Sequence, residues 1–510
     1  MVNLLPFLIA SFLLINPFLE WVFRKFDVQV EKLQFWVMLT SGTAWLIALV
    51  YFLVNPINGL IDLTAAGTDL LPRLVFSHDW ISASLVLSAA VLIFVTVLNR
   101  QEDPQSNAWL AGLGGACVIG LAASSIYALG LSWTIVEGFH IYFTYQDQLI
   151  SSSPRRYLPI VLMRLSAPAT LILLSLTQND PEKSGRFIDL GDPYGLALIA
   201  AGLISFLGWF LSYQGKDNEK EGFPGAIENW IPGFLGLMLI LRGGTIAGPD
   251  DVPAVIPLIL ASLLFLAVIA GTLLNRISKI WFLSCVLLAT VSAIVSGVES
   301  ALSWGTVMIL PGIQVWKRSD QPNSALFPLV LAGIGLLPLP FLPAWAGVSV
   351  FSASLAGVIL GVSYGILLGN VIIAVLKNWG SSEDDALALP LLKGFGAAFL
   401  LVSQGLISLR LDLINQSQDL ISKPVLIWVS ALSLVPVLIL GNRLPLRRNE
   451  EITKAVIILR EVLENILTSM LHFLDRTVNL ISEIFEGQGG IIWALLIGLL
   501  LITLLSLRGW

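Results

Sequence analysis

Long apolar stretches alternate with short polar ones along nearly the whole chain. The apolar stretches run for about 17–25 residues, the length that crosses a bilayer as an α-helix. We count about sixteen predicted spans. They cover approximately 2–20, 35–54, 81–98, 108–130, 131–150, 157–178, 194–213, 230–247, 252–273, 278–298, 301–315, 325–343, 348–376, 390–410, 424–441 and 490–507. The pattern predicts an all-α, polytopic membrane protein, with a transmembrane helix bundle over 1–441.

A different pattern follows the fifteenth predicted span. From Ile452 to Phe485 apolar residues recur at steps of three and four, and charged residues take much of the other face. This predicts a cytoplasmic amphipathic helix over 450–486 that lies in the membrane interface and is roughly 50 Å long. A surface anchor of no special purpose is the alternative. The Gly-rich turn at 487–490 leads into a last transmembrane helix within 490–510.

Composition agrees with a membrane protein and excludes several other classes. Hydrophobic residues make up 56% of the 510 residues and charged residues only 12%, against about 25% in soluble domains. The net charge of −6 and the lack of a basic tract argue against nucleic-acid binding. Cys117 and Cys285 lie inside predicted spans, and the three histidines (His78, His140 and His472) lie far apart. We therefore expect that this chain has no disulfide, binds no metal or cofactor, and has no catalytic site of its own.

The distribution of basic residues predicts the orientation. Loops after odd-numbered spans hold sixteen Lys and Arg residues, whereas those after even-numbered spans hold six. By the positive-inside rule the first set is cytoplasmic, which places both termini outside. The first apolar stretch has no preceding basic residue and no cleavage site, so we expect a retained helix. The membrane is expected to be a prokaryotic plasma membrane or a thylakoid membrane.

The fifth predicted span, LSWTIVEGFHIYFTY (Leu131–Tyr145), carries a carboxylate and an imidazole. Glu137, His140 and Thr144 share one face, and Arg164 enters from the next span. These four residues form a candidate proton path, since charges inside a bilayer usually face a protein interior or water. Estimated depths of Glu137 and Arg164 differ by about 10 Å, so no direct ion pair is predicted. A structural hydrogen-bond cluster that fixes helix packing is the equal alternative.

Together, this topology and several short motifs resemble the antiporter-like subunits of respiratory complex I, which have relatives in Mrp antiporters and membrane-bound hydrogenases. Asp79 and Ser82 match the start of that family's third span, and Trp133 and Glu137 match its Trp–Glu pair. Arg164 falls where the family has an arginine. Two further stretches are similar to family segments: FPGAIENWIPG (Phe223–Gly233) and LPLPFLPAWAG (Leu337–Gly347), the latter approaching a broken helix.

Two of the family's central residues have no counterpart. The predicted seventh span contains no lysine, and neither does Gly347–Leu376, where the family's broken twelfth helix carries one. The resemblance implies a divergent subunit of a complex I-type assembly that takes part in proton or cation translocation coupled to electron transfer. It implies other membrane subunits as partners, besides the lipid bilayer. Two alternatives stay open: a non-transporting structural subunit, and a stand-alone secondary transporter.

Overall fold

The structure is a computed structural model that describes most of the chain before residue 415. The described residues are 4–26, 30–54, 59–62, 74–99, 104–148, 157–177, 187, 192–214, 231–247, 252–273, 277–309, 333–338, 342, 344–351, 354–378 and 388–414. Predicted spans 424–441 and 490–507, the amphipathic helix at 450–486 and most of 325–343 lie outside them. These remain predictions, as does the total of sixteen spans.

Thirteen α-helices lie within the described residues, and each corresponds to one predicted span. They are α1 (Leu5–Lys25), α2 (Val30–Leu53), α3 (Trp80–Asn99), α4 (Pro104–Leu121), α5 (Ile126–Gln148), α6 (Tyr157–Thr177), α7 (Asp192–Gln214), α8 (Gly233–Ile246), α9 (Val255–Leu273), α10 (Ile277–Val295), α11 (Val298–Ile309), α12 (Leu355–Asn378) and α13 (Ala388–Ile414). The predicted all-α, polytopic membrane fold is confirmed.

Helices α1, α2 and α3 are long and apolar enough to cross a membrane, by length and composition. Helix α3 is almost wholly buried and packs against α2, α4 and α13. Helices α1 and α2 instead expose large apolar side chains, such as Phe18, Trp21, Leu39 and Leu46. In a membrane protein these are the side chains that contact lipid, so α3 is central and α1 and α2 are peripheral.

A short antiparallel hairpin between α2 and α3 was not predicted from the sequence. Strands β1 (Gly59–Asp62) and β2 (Val75–His78) pair, with Gly59 opposite His78 and Asp62 opposite Val75. The backbone N–H groups of Ser124 and Ser125 donate to the Val75 carbonyl oxygen, at 3.0 and 3.2 Å. Strand β2 is therefore held against the turn that joins α4 to α5.

The observed boundary between α4 and α5 differs from the predicted one, and this contact explains the difference. The sequence predicted a boundary near residue 130, but α5 begins five residues earlier than predicted, at Ile126. The Ser125 hydroxyl oxygen accepts hydrogen bonds from the Ala128 N–H (3.2 Å) and the Val75 N–H (3.3 Å). Ser125 is thus both the N-cap of α5 and an anchor for β2. Apolar periodicity does not report such a contact with a distant strand.

A polar side chain of α1 replaces a backbone hydrogen bond that a proline removes. Pro17 lies inside α1 and has no N–H to donate to the Leu13 carbonyl one turn earlier. Asn16 Nδ2 donates to that carbonyl instead (3.0 Å), while Asn16 Oδ1 accepts from the Thr40 hydroxyl of α2 (2.7 Å). Backbone groups within a membrane need such internal partners because no water reaches them.

An irregular segment precedes α12. Where the sequence predicted a span from 348 to 376, a 3-10 turn occupies Ala346–Val350, and α12 begins only at Leu355. The Gly347 carbonyl oxygen accepts from Trp304 Nε1 (2.9 Å) and from the Ser300 hydroxyl (3.1 Å), both on α11. A Cβ at position 347 would lie 2.6 Å from Trp304 Cε2, so glycine is required there.

Glycines bring α7 and α8 into direct backbone contact. A Cβ at Gly202 would lie 2.6 Å from the Gly236 carbonyl oxygen, and a Cβ at Gly243 would lie 2.6 Å from the Gly195 carbonyl oxygen. Each helix places its two glycines seven residues apart, which keeps them on one face. This close packing fixes the position of Arg242, which precedes Gly243 on α8.

Helices α5 and α6 also meet at a glycine. A Cβ at Gly130 would lie 3.0 Å from Ile172 Cγ1 and 3.2 Å from Leu171 Cβ, whereas a Cβ at Gly138 would meet nothing within 4 Å. Both glycines belong to α5. The first therefore allows the close approach of α6, and the second does not contribute to it.

We expect Gly130→Ala to be less stable than Gly138→Ala by about 1–3 kcal/mol, because only the first forces crowded atoms apart. Both variants gain the same helix propensity, about 1 kcal/mol over glycine, so the difference isolates the contact between the helices. Unfolding of the purified chain in mixed detergent micelles measures it. Equal stabilities would contradict the close approach of α5 and α6.

Candidate functional site

Three polar side chains of α5 are buried on one face of the helix. Trp133, Glu137 and His140 follow one another at steps of four and three, and their exposed fractions are 0%, 0% and 3%. Exposed residues between them, Ile135 and Phe139 among them, take the opposite side. Trp133 Nε1 donates to Glu137 Oε1 at 3.2 Å. The Trp–Glu spacing noted in the sequence therefore corresponds to a hydrogen bond one turn apart.

Arg164 of α6 completes the cluster. Its Nη2 atom forms an ion pair with Glu137 Oε2, and its Nε donates to the same oxygen at 3.1 Å. Nη2 also lies 2.9 Å from His140 Nδ1. Arg164 is fully buried. Pro168, one turn further along α6, has no N–H to donate to the Arg164 carbonyl, so α6 lacks one regular backbone hydrogen bond at this residue.

The ion pair was not predicted from the depth estimates, and the misplaced start of α5 explains why. Counted from Ile126, Glu137 lies about 16 Å along the helix rather than about 9 Å. The estimated gap to Arg164 then falls from about 10 Å to roughly 4 Å, a distance that an arginine side chain spans. The sequence identified the partners, whereas the tertiary contact at Ser125 decided that they meet.

Three of the four candidate proton-path residues are thus brought together: Glu137, His140 and Arg164. Thr144 belongs to α5, one turn beyond His140, but its side chain lies outside the described residues. A proton path through all four residues remains a prediction. The three described residues form a compact, charge-compensated triad rather than an extended line.

A second ion pair lies at the start of α3. Asp79 precedes the helix, and its Oδ1 accepts from the Ser82 N–H at 2.8 Å, which makes Asp79 the N-cap. Its Oδ2 pairs with Arg242 Nη2, which also donates to the Ser82 hydroxyl at 3.2 Å. The guanidinium lies 6.0 Å from the centre of the Phe187 ring. Asp79 and Ser82, which were noted only as a motif, together bind one guanidinium.

The electrostatics of Asp79 follow from these contacts. Burial raises the pKa of this carboxyl, but the charge of Arg242 and the hydrogen bonds from Ser82 and Arg242 outweigh burial and lower it below its ordinary value. Sequence reasoning missed this pair. The available signal was Arg242 itself, a lone cation near the end of an apolar span, with Asp79 as a lone anion at the start of another.

Neither cluster has the composition of a metal site. Among the described residues, no group of three or more His, Cys, Asp and Glu side chains is placed to hold a metal ion. Cys117 and Cys285 are buried and not joined by a disulfide. What the triad offers chemically is proton exchange, since it combines a carboxylate, an imidazole and a cation that stays protonated.

Comparison with known proteins identifies the fold. No family model matches this sequence, and no curated protein matches it. The structure is similar to a chain of respiratory complex I from Thermus thermophilus with bound NADH, with a TM-score of 0.57 and 13% identity over 85% of this chain and 100% of that chain. It is also similar to a chain of the Mrp complex from a Dietzia species, with a TM-score of 0.52 and 14% identity over 100% of this chain.

The chain spans 63% of the length of the Mrp chain that it matches. A third similar structure is the membrane-bound sulfane sulfur reductase, an archaeal respiratory membrane complex, with a TM-score of 0.47 and 14% identity over 85% of this chain and 74% of that chain. At these identities the first two likenesses establish the fold. The resemblance to antiporter-like membrane subunits that was stated from the sequence is therefore confirmed for the architecture.

We expect the Glu137–Arg164 pair to show strong thermodynamic coupling. Arg164→Gln leaves a buried carboxylate without its counter-charge and should destabilise the protein by about 3–5 kcal/mol. Glu137→Gln should also be destabilising, because it leaves the buried Arg164 guanidinium without its counter-charge. The double variant should recover about 1–3 kcal/mol relative to the sum of the two single effects. A double-mutant cycle on detergent-induced unfolding measures this coupling.

The control for that cycle combines Arg164→Gln with Asp79→Asn, which alters the separate cluster at α3. Because the two clusters share no described hydrogen bond or ion pair, their effects should add to within about 0.5 kcal/mol. If Glu137→Gln and Arg164→Gln were also merely additive, the ion pair would make no net contribution.

We expect the Asp79–Arg242 pair to contribute stability that depends on pH. Since the folded pKa of Asp79 is lowered, its contribution is present above the unfolded value of about 4 and is lost as the pH falls through the folded value. Asp79→Asn keeps an N-cap residue but removes the charge. The difference in Tm between wild type and Asp79→Asn should be largest at neutral pH and should shrink below about pH 4.

Thermal unfolding between neutral pH and about pH 3 tests this expectation. Ser84→Ala is the matched control, because it removes a neutral hydroxyl of the same helix, bonded to the Trp80 carbonyl oxygen, and should change Tm by an amount that does not vary with pH. A constant difference between wild type and Asp79→Asn across the range would contradict an ionised Asp79.

Proposed function

We propose that this chain is an antiporter-like membrane subunit of a complex I-type assembly, taking part in proton or cation translocation coupled to electron transfer. The observation that carries the proposal is the buried triad of Glu137, His140 and Arg164 within this fold. Titratable groups inside membrane helices are costly and commonly belong to ion or proton pathways. The chain binds no cofactor itself in this proposal, and the redox chemistry belongs to partner subunits.

The triad responds to one added proton by changing its contacts. A proton on Glu137 removes the negative charge that holds Arg164, and the guanidinium, which does not lose its own proton, then needs another partner. Conversely, a charged group that approaches from a neighbouring subunit would compete for Arg164. Glu137 is thus the switchable carboxylate, Arg164 the charge that biases it, and His140 the relay.

Two further features belong to the same proposal. The partners are other membrane subunits, with the helix at 450–486 lying along them on the cytoplasmic side. The membrane is a prokaryotic plasma membrane or a thylakoid membrane, with both termini outside. The similar structures support the expectation of partner subunits, since they belong to membrane complexes.

We expect Glu137→Gln to abolish proton translocation without loss of assembly. Glutamine keeps the shape and the acceptor for Trp133, but it cannot exchange a proton or carry a charge. Transport should fall by more than about tenfold, which corresponds to about 1.4 kcal/mol of barrier. The measurement is the pH change inside sealed native membrane vesicles while the electron transfer of that membrane runs, with assembly checked by native separation.

Glu20→Gln provides a matched control. Glu20 is a second buried carboxylate (7% exposed), on α1, which packs against α2 and α4. This variant should keep its transport. Full pumping by an assembled Glu137→Gln complex would refute the role of Glu137.

The two alternatives give different results in the same preparation. A structural subunit is favoured by the absence of lysine from 194–213 and from Gly347–Leu376. Such a subunit would tolerate Glu137→Gln, but removal of 450–486 would dissociate the complex. A stand-alone transporter would migrate alone on native separation, whereas co-migration with iron–sulfur or quinone-reducing subunits supports the assembly.

A further inference from the structure

Arg164 Nη2 has two acceptors, and each uses one of its two hydrogens. One hydrogen, together with the Nε hydrogen, is directed to Glu137 Oε2, so that this edge of the guanidinium chelates a single carboxylate oxygen. The other hydrogen is directed to His140 Nδ1, 2.9 Å away. The imidazole is therefore bound by the same nitrogen that holds the ion pair.

The donor and acceptor roles in this contact are fixed by chemistry. A guanidinium has five N–H donors, no acceptor, and stays protonated in proteins. His140 Nδ1 must therefore accept the hydrogen bond and cannot carry a proton. An imidazole with a bare Nδ1 is neutral and carries its proton on Nε2.

From this geometry we infer that Arg164 is the positioning residue of His140: it holds the imidazole neutral, as the Nε2–H tautomer, while the Glu137–Arg164 ion pair is closed. In this state Nδ1 is blocked by the guanidinium, and only Nε2 exchanges protons. The inference deepens the proposed relay role of His140 and rests on it for its functional meaning. The tautomer itself is a property of the folded chain.

The same contact links the two proton acceptors of the triad. When Glu137 takes a proton, the attraction that holds Arg164 is lost, and withdrawal of the guanidinium exposes the Nδ1 lone pair. A proton that binds at Nδ1 while another leaves from Nε2 keeps the imidazole neutral and converts it to the Nδ1–H tautomer. Arg164 returns to its place only after Nδ1 has lost that proton and Nε2 has gained one, which restores the neutral Nε2–H tautomer. Protonation of Glu137 thereby precedes proton transfer through His140.

Nitrogen-15 NMR of histidine-labelled protein tests the inference directly. The full chain, purified into lipid nanodiscs, contains only three histidines, and His78→Gln and His472→Gln assign the other two signals. We expect wild-type His140 to show an unprotonated Nδ1 and a protonated Nε2 at neutral pH. In Arg164→Gln, the Nδ1–H tautomer should become populated, while the signals of His78 and His472 stay unchanged.

Trp133→Phe is the matched control, because it removes a hydrogen bond to Glu137 Oε1 but leaves the contact between Arg164 and His140. It should keep the Nε2–H tautomer. A wild-type signal from the Nδ1–H tautomer or from imidazolium would overturn the inference, even if Arg164→Gln fails to fold. An unchanged His140 signal in folded Arg164→Gln would overturn it as well.

These outcomes are separable from those of the proposed function. The NMR experiment measures the tautomer without measuring transport. An unexpected tautomer would therefore contradict this inference but not the role of Glu137, which the vesicle assay tests separately. If Glu137→Gln pumps normally but the tautomer depends on Arg164, the positioning of His140 stands and the relay role fails.

Discussion

Glu137 and Arg164 each bring a full charge into the interior of a helix bundle, where both side chains are fully buried, and either charge alone would cost several kcal/mol there. Their pairing removes most of this cost and places strict demands on the surrounding structure. Helices α5 and α6 must approach closely enough for the guanidinium to reach the carboxylate, and Gly130 provides that space. The carboxylate must also lie at the right depth, and Ser125 sets that depth as the N-cap of α5. Packing, capping and charge therefore depend on one another.

The backbone around β2 joins the two elements from which Asp79 and α5 extend. Asp79 directly follows β2, and β2 is bonded to the turn at Ser124 and Ser125 from which α5 begins. The Phe187 N–H donates to the Ser124 carbonyl oxygen (3.1 Å), and the Phe187 ring lies beside Arg242. One small assembly of strand, turn and aromatic ring thus connects the N-termini of α3 and α5. Asp79, directly before α3, and Glu137, within α5, each belong to one of the two ion pairs.

The same requirement that polar groups find internal partners explains the irregular segments. Asn16 replaces the donor that Pro17 lacks, and Trp304 and Ser300 satisfy the Gly347 carbonyl before α12. Neither the seventh predicted span nor the segment at Gly347–Leu376 contains a lysine, although the family that this chain resembles has one in each. In the described structure an Arg–Glu pair with a neighbouring histidine occupies the fifth and sixth helices. This charge-compensated triad is the buried polar cluster that α5 and α6 share.

The sequence by itself determined the membrane class, thirteen of the helices within the described residues, and the three buried members of the triad. These follow from local properties: the length of apolar runs, the period of a helix, and the cost of a charge in lipid. Only the tertiary structure decided that Glu137 and Arg164 touch, that Nη2 also reaches His140 Nδ1, and that Asp79 and Ser82 share Arg242 across more than 150 residues. The reason is physical: a helix boundary set by a distant strand shifts every depth along the helix. Whether two side chains come within hydrogen-bond distance depends on such shifts. No local sequence pattern reports them.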